Sequence, residues 1–365
     1  MKKAHLILLF LLTIFFATEC HYSPTVQSDN MAFDEVLYID RFPLSFSLND
    51  EIEVDLGTIG IRSFYIYDSL LICSVKNNTG LWSFFSLPNY KPLGDFLSRG
   101  EGPFEFIQEP NPGSRAKFYK ENDTVYAGIY DAYRGKVYKM NIDKSIERKK
   151  LEISILNDSL PKVLFDFIMI DSSAFFCREI KNYDTQQIRY ILINGEKVIP
   201  LHFEKLNQAK IKEGEDINII SSIIKQSCHN DLIVEMPIGL NYINLYNIEG
   251  SFKRTICIGK KLDNIRKIQS KLRWDRVYTF ANLQLFNIFW GVVQINEDEK
   301  TYQTNRKKLP SILLFDWEGK PIAELKLNRH ITSFDIDMAN GHLYTFDVHT
   351  DEFYKYNIND ILPQI

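Results

Sequence analysis

Along most of the chain, apolar and polar residues alternate in short runs cut apart by turn residues, the pattern of half-buried strands rather than of helices. Segments that open on a turn-forming Asp or Asn, pass through an apolar strand and a polar turn, and finish in a second apolar strand recur six times. Their cores are residues 68–96, 123–146, 171–201, 230–258, 287–327 and 340–361. The openings lie roughly 50–60 residues apart, close to the period of four-stranded propeller blades. The stretch ahead of an opening is itself apolar, as in 63–67 (SFYIY), 163–170 (VLFDFIMI) and 333–338 (SFDIDM), and supplies an innermost strand.

A lone four-stranded sheet leaves both faces wet, whereas a ring of sheets buries each face against a neighbour. The pattern therefore predicts an all-β fold, a six-bladed β-propeller over residues 31–365; two stacked sandwiches are the alternative, because periodicity fixes strands and not their arrangement. The sixth unit runs out after three strands. Residues 51–56 (EIEVDL) alternate as a strand should, and are expected to supply the missing outer strand and close the ring from the N-terminal side.

Ahead of the repeats, Lys2, Lys3 and His5 precede an apolar run from Leu6 to Phe16, and Cys20 follows. This is the order of an export signal, and the run is shorter than the ~20 residues of a membrane-crossing helix. Ala17-Thr18-Glu19-Cys20 resembles a bacterial lipobox, with Glu19 where a small residue is usual. Residues 1–19 are read as a lipoprotein signal peptide, Cys20 as the lipidated residue and 20–30 as a flexible tether. No acidic cluster follows the cysteine. The expected location is the bacterial outer membrane, lipid-anchored and facing the periplasm.

Composition narrows the choice of partners. The 26 Phe and 19 Tyr suit pleated surfaces, and 43 Lys plus Arg against 47 Asp plus Glu leave a net charge of −4. That balance gives no pull toward nucleic acid. Cys73, Cys177, Cys228 and Cys257 show no CxxC spacing and sit in apolar, strand-like stretches, so they are expected to be buried thiols, with their disulfide status left open.

The connection after the first unit, LSRGEGPFEF, carries Gly100, Gly102, Pro103, Glu105 and Phe106. It resembles the Gly-x-Gly-Pro-Gly-Glu-Phe signature of the TolB-like six-bladed β-propeller lipoproteins of bacteria, with Phe104 in place of a glycine. The resemblance implies the propeller and the exported leader, and little about activity. Physically, Gly100 and Gly102 free the backbone while Pro103 stiffens it, which is turn chemistry. Arg99, Glu101 and Glu105 either present charge to a ligand or hold the turn by a local Arg–Glu contact.

No Walker-type loop, HExxH helix, GxSxG elbow or CxxC pair occurs. A site assembled from separate blades would escape such motifs. Its candidates, near blade turns, are Asp131, Asp335, Asp337, Asp347 and Asp351, with His349 close by, and together with Arg99 and Glu101 they form the possible channel or rim site. Such carboxylates suit a hard cation such as Ca²⁺, although Asp is also an ordinary turn residue. No cofactor is otherwise expected. Helical spacing of Leu262, Ile265, Ile268 and Leu272 predicts a basic amphipathic helix over 258–277, and 296–310 reads as a hairpin or loop. Trp82, Trp290 and Trp317 lie on strands and are expected to pack between blades.

The expected role is that of a lipid-anchored envelope propeller that binds or scaffolds a protein, peptide or glycan rather than an enzyme. A hydrolase or lyase with a metal at the channel floor is the alternative.

Overall fold

Strands among the described residues fall into six sheets, each built on an antiparallel meander in chain order, and three of them gain a further strand from the N-terminal segment. The computed structural model describes residues 28–76, 80–227 and 229–365, so the expected signal peptide at 1–19, the expected lipidation site Cys20, residues 21–27 and Cys228 lie outside the described residues. The innermost strands of blades 1 to 6 are Ile61–Tyr67, Ala116–Glu121, Asp166–Met169, Ser222–Gln226, Val277–Leu285 and Ser333–Asp337. Each neighbours the next around one axis, and the sixth lies against the first. The protein is a six-bladed β-propeller.

The turn residues that mark the repeat act through backbone conformation. Asp68 (φ 56°), Asp123 (φ 62°) and Asp231 (φ 55°) take the left-handed region where a blade's first strand folds back into its second. Asp and Asn tolerate that region better than other side chains, because their short polar groups bond locally.

Six apolar clusters fill the six spaces between neighbouring blades. Trp82 and Phe118 pack between blades 1 and 2, and Tyr130 stacks on Phe167 at 4.7 Å between blades 2 and 3. Met236 meets Trp290 between blades 4 and 5. Phe64 and Phe353 meet edge-on at 4.9 Å between blades 6 and 1, joining the two ends of the repeat. Trp82 and Trp290 are fully buried, and their indole N–H groups donate to Pro110 O and Asp316 O.

The space between blades 3 and 4 also holds charge. Glu235, Arg178 and Arg189 are all fully buried there. Arg189 Nε donates to both Glu235 oxygens at 3.0 and 2.9 Å, Arg178 donates to Glu235 and to Ser222 O, and Tyr246 donates its hydroxyl to Glu235 at 2.9 Å. Arg178 also pairs with Asp166. Burial opposes the charge on Glu235, but the two guanidiniums outweigh it and hold the carboxyl at about 2.

The N-terminal segment does more than the sequence led one to expect. Val36–Ile39 runs parallel to the outer strand of blade 4, Lys253–Ile258, and Leu44–Leu48 runs parallel to that of blade 5, Pro321–Leu327. Ile52–Glu53 then takes the fourth place in the blade 6 sheet, antiparallel to Glu352–Asn357. Ser28, at the end of the expected tether, already pairs with Ala209.

Two insertions differ from expectation. The helix expected over 258–277 is confined to Ile265–Gln269, capped by the Asn264 side chain, with a 3₁₀ turn at Arg273–Asp275. Leu262, Ile265 and Ile268 pack on the blade 3–4 core, but Leu272 lies beyond the helix end in solvent, because the chain turns away at Ser270. The segment 296–310 is no hairpin: Asp298 caps a helix, Glu299–Thr304, whose Tyr302 ring stacks on Tyr278 at 4.9 Å. Cys73, Cys177 and Cys257 are buried free thiols.

Candidate functional site

Strand alternation sorts the loops onto two faces. Every crossing from one blade's outer strand to the next blade's inner strand leaves from and returns to the same side, as do the hairpins between second and third strands. This connection face carries 97–115, 158–165, 259–276 and 299–310. It exposes Ile59, Phe104, Tyr133, Val163, Tyr183, Leu272 and Trp274, with Tyr183 86% and Trp274 52% exposed. The opposite face, built mostly of tight turns with one short helix at Ile142–Arg148, exposes Ile193, Ile288 and Met338.

The glycine-rich loop lies on the connection face and is tied down from within. Glu105 Oε2 accepts from the Gly102 N–H at 2.8 Å, and Phe106 N–H donates to Ser98 O at 2.9 Å. A side chain at Gly100 would collide with the Glu105 carboxylate, which is why the motif needs glycine there. Arg134, from blade 2, donates to Glu105 O at 2.6 Å and Gly102 O at 3.1 Å, and the Tyr138 hydroxyl donates to Pro103 O. Buried Phe106 meets Tyr138 edge-on at 5.4 Å. Arg99 pairs with Glu109 at 3.6 Å rather than with Glu101 or Glu105. Here the loop clamps blade 1 to blade 2.

The acidic candidates are distributed rather than gathered. Asp131 accepts from Tyr133 and Arg134 N–H groups and pairs with the Arg134 guanidinium at 2.8 Å. Asp347 accepts from His349 N–H and is held bidentately by Arg306, which keeps its carboxyl below the usual range against the pull of burial. Asp337 accepts from Ala339 and Asn340 N–H groups on the opposite face, and Asp351 accepts from Gly60 N–H. His349 meets Tyr302 edge-on at 5.7 Å. Among the described residues no three His, Cys, Asp or Glu side chains lie close enough to hold a metal ion.

Asp335 stands apart, in mid-strand on the axis, where it meets residues the sequence did not single out. The free edges of innermost strands expose backbone groups that need partners, and polar side chains from adjacent blades supply them. Asp335 Oδ2 accepts from Ile66 N–H at 2.8 Å, Asn282 accepts from Phe334 N–H, and Lys117 Nζ donates to Ile170 O at 2.7 Å. Lys225 Nζ donates to Gln284 Oε1 at 2.6 Å and lies 5.2 Å from the Tyr65 ring centre. Burial pushes the Asp335 carboxyl up to about 7 and pulls the Lys225 ammonium down to about 8, each partly offset by the other's charge. Beside Lys225 lies an axial cavity of about 130 Å³, lined by the inner strands of blades 1 to 4 and by Gly113 and Ser114. Lys225 was missed because IIKQ reads as an ordinary strand, and only the ring closure turns its lysine inward.

No curated protein matches the chain. Among solved structures it is similar to Raptor from Chaetomium thermophilum, with 10% identity, a TM-score of 0.45, 85% of this chain covered and 28% of that one. It therefore spans under a third of that protein. A member of the duf4221 family from Bacteroides vulgatus shows 11% identity and a TM-score of 0.49 over 85% of this chain and 96% of that one. The Pan2 WD40 domain of Neurospora crassa shows 11% identity and 0.42 over 87% and 99%. The family description TolB-like 6-blade propeller-like matches residues 63–339, from the innermost strand of blade 1 to that of blade 6. The chain belongs to this TolB-like six-bladed propeller family.

Proposed function

We propose that this propeller is a binding or scaffold module whose connection face docks a protein partner in the cell envelope, held there by a lipid on Cys20. The observation that carries the reading is the asymmetry of its two faces. Exposed apolar side chains are contributed to the connection face by most of the ring: Ile59 from the 6–1 crossing, Tyr133 from blade 2, Val163 from the 2–3 crossing, Tyr183 from blade 3 and Trp274 from the 4–5 crossing. Single exposed apolar residues are ordinary on a protein surface, but their concentration on one face marks an interaction surface. Tyr and Trp are also the side chains that most often anchor such contacts. No described helix is long and apolar enough to cross a membrane, so attachment in this reading falls to the N-terminal lipid.

The test is recovery of partners from detergent-solubilised envelopes with the full-length protein as bait. Tyr133→Ser with Trp274→Ser is expected to cut recovery about tenfold, as loss of aromatic anchors does. The matched pair on the opposite face, Ile288→Ser with Met338→Ser, is expected to leave it unchanged. Equal recovery with all three baits would remove the connection face as the docking surface. Cys20→Ala, recovered in the soluble rather than the membrane fraction, checks the anchor separately.

A further inference from the structure

Apart from any partner on the rim, the axial cavity has the chemistry of a ligand site. Its lining holds two ammonium groups, Lys117 and Lys225, and no carboxylate, in a protein whose overall charge is −4. Lys225 is the informative one. An ammonium has three donors, and among the described residues Gln284 Oε1 is the one hydrogen-bond acceptor that Lys225 meets. Among the described residues it makes no direct ion pair: the carboxylate that influences it, Asp335, is turned to the Ile66 and Ile336 N–H groups and takes no part in the lining. A half-buried cation without a paired anion bears part of a desolvation cost that an incoming anion relieves.

The remaining wall sets the other half of the specificity. Phe118, Phe167, Ile168, Met169 and Ile224 give it apolar and aromatic surface, beside the polar groups of Ser114, Gln226 and two tyrosines. A volume of about 130 Å³ corresponds to about four waters at their share of ~30 Å³ each, enough for a body of one ring. Gly113 leaves the space beside the ammonium open: a methyl group added there would stand 3.5 Å from Lys225 Nζ and 3.4 Å from Asn111 Oδ1. That is contact without a clash, so the position can be filled without disturbing the fold.

We propose that the axial cavity binds a small monocarboxylate with a flat apolar body, its carboxylate on Lys225 and its body against Phe118, Phe167 and Ile168. The inference does not depend on the docking reading, since cavity and rim share none of the residues tested.

Benzoate is the probe, titrated calorimetrically into the mature protein, with benzyl alcohol as the same ring without charge and inorganic phosphate as charge without ring. Benzoate is expected to bind, and the two controls to bind at least about tenfold more weakly. Lys225→Met is expected to lower benzoate affinity about tenfold or more, because it removes the charge that meets the carboxylate. Should that variant misfold, Gly113→Ala carries the test: it is expected to keep the wild-type melting temperature and to weaken benzoate several-fold. No heat from benzoate at millimolar concentration, unchanged binding in either variant, or phosphate binding as tightly as benzoate would each overturn the proposal.

Discussion

Asp335, on the innermost strand of blade 6, accepts a hydrogen bond at 2.8 Å from the backbone N–H of Ile66, on the innermost strand of blade 1. The two residues stand at opposite ends of the repeat, so this bond lies across the seam where the ring meets itself. Its carboxyl is buried, and burial pushes it up to about 7. An unfolded aspartate titrates near about 4. Between those values the folded protein keeps a proton that the unfolded chain has lost, so this group's contribution to stability falls as pH rises from about 4 to about 7. Asp335→Asn removes the titration. Urea unfolding at pH 5 and pH 8 should show wild type ahead of the variant by more at pH 5, and a gap of equal size at both would contradict the assignment.

Glu235 behaves in the opposite sense. Its folded carboxyl is held at about 2 by Arg189 and Arg178 against the effect of burial, below the unfolded value of about 4. Its contribution is present at neutral pH and is lost as pH falls from about 4 toward 2. Glu235→Gln leaves two buried guanidiniums short of a counter-charge and is expected to cost about 3–5 kcal/mol at pH 7. Adding Arg189→Met should recover part of that loss, since one uncompensated charge goes with it. Denaturant midpoints of the three proteins measure it; a single variant as stable as wild type would show that the cluster is not held by its charges.

These two residues mark what was legible in the sequence and what was not. The blades were legible because their cause is local: Asp68, Asp123 and Asp231 punctuate alternating strands at a regular interval, and left-handed turns sit at those residues. Asp335 was noticed for its charge, but its mid-strand place on the axis depends on which strand comes to lie beside it. Arg178, Arg189 and Glu235 were passed over, because a charged residue in an alternating strand normally marks the wet face. Here both faces of each blade are covered, and partners such as Arg189 and Glu235 are 46 residues apart in the chain. The helix expected over 258–277 failed for a related reason. Its apolar spacing serves the blade 3–4 core through only two of its turns, and Asn264 and Ser270 bound the helix before Leu272.

The glycine-rich loop makes a prediction that separates clamp from ligand contact. Gly100→Ala places a methyl group against the Glu105 carboxylate and is expected to cost about 1–3 kcal/mol, the usual range for overpacking. In a Glu105→Ala background the same substitution should cost distinctly less, because the obstacle has gone. The double-mutant cycle therefore yields a coupling energy between two residues that are neighbours only through the folded loop. Additive effects of the two substitutions would mean that the loop relaxes freely and that its glycine serves another purpose.

The N-terminal segment ties together several parts of the ring. Met31 is fully buried; its N–H donates to the Tyr242 hydroxyl at 2.8 Å, its carbonyl accepts from Asn244, and its sulfur lies 2.8 Å from the Arg189 guanidinium. Phe33 N–H donates to Thr255 Oγ1 at 2.8 Å. The strands that follow cover the outer edges of blades 4 and 5 and give blade 6 its fourth strand. Deleting residues 31–57 therefore strips two sheet edges, opens the Arg189–Glu235 cluster to water and leaves blade 6 with three strands. Unpaired edges also invite pairing between molecules. The truncated protein is expected to lose its single sharp melting transition and to self-associate on light scattering, whereas Phe33→Ser, which keeps the strands, should lower the midpoint while preserving one transition. A truncated protein that melts once, at the wild-type temperature, would show that the ring stands without this segment.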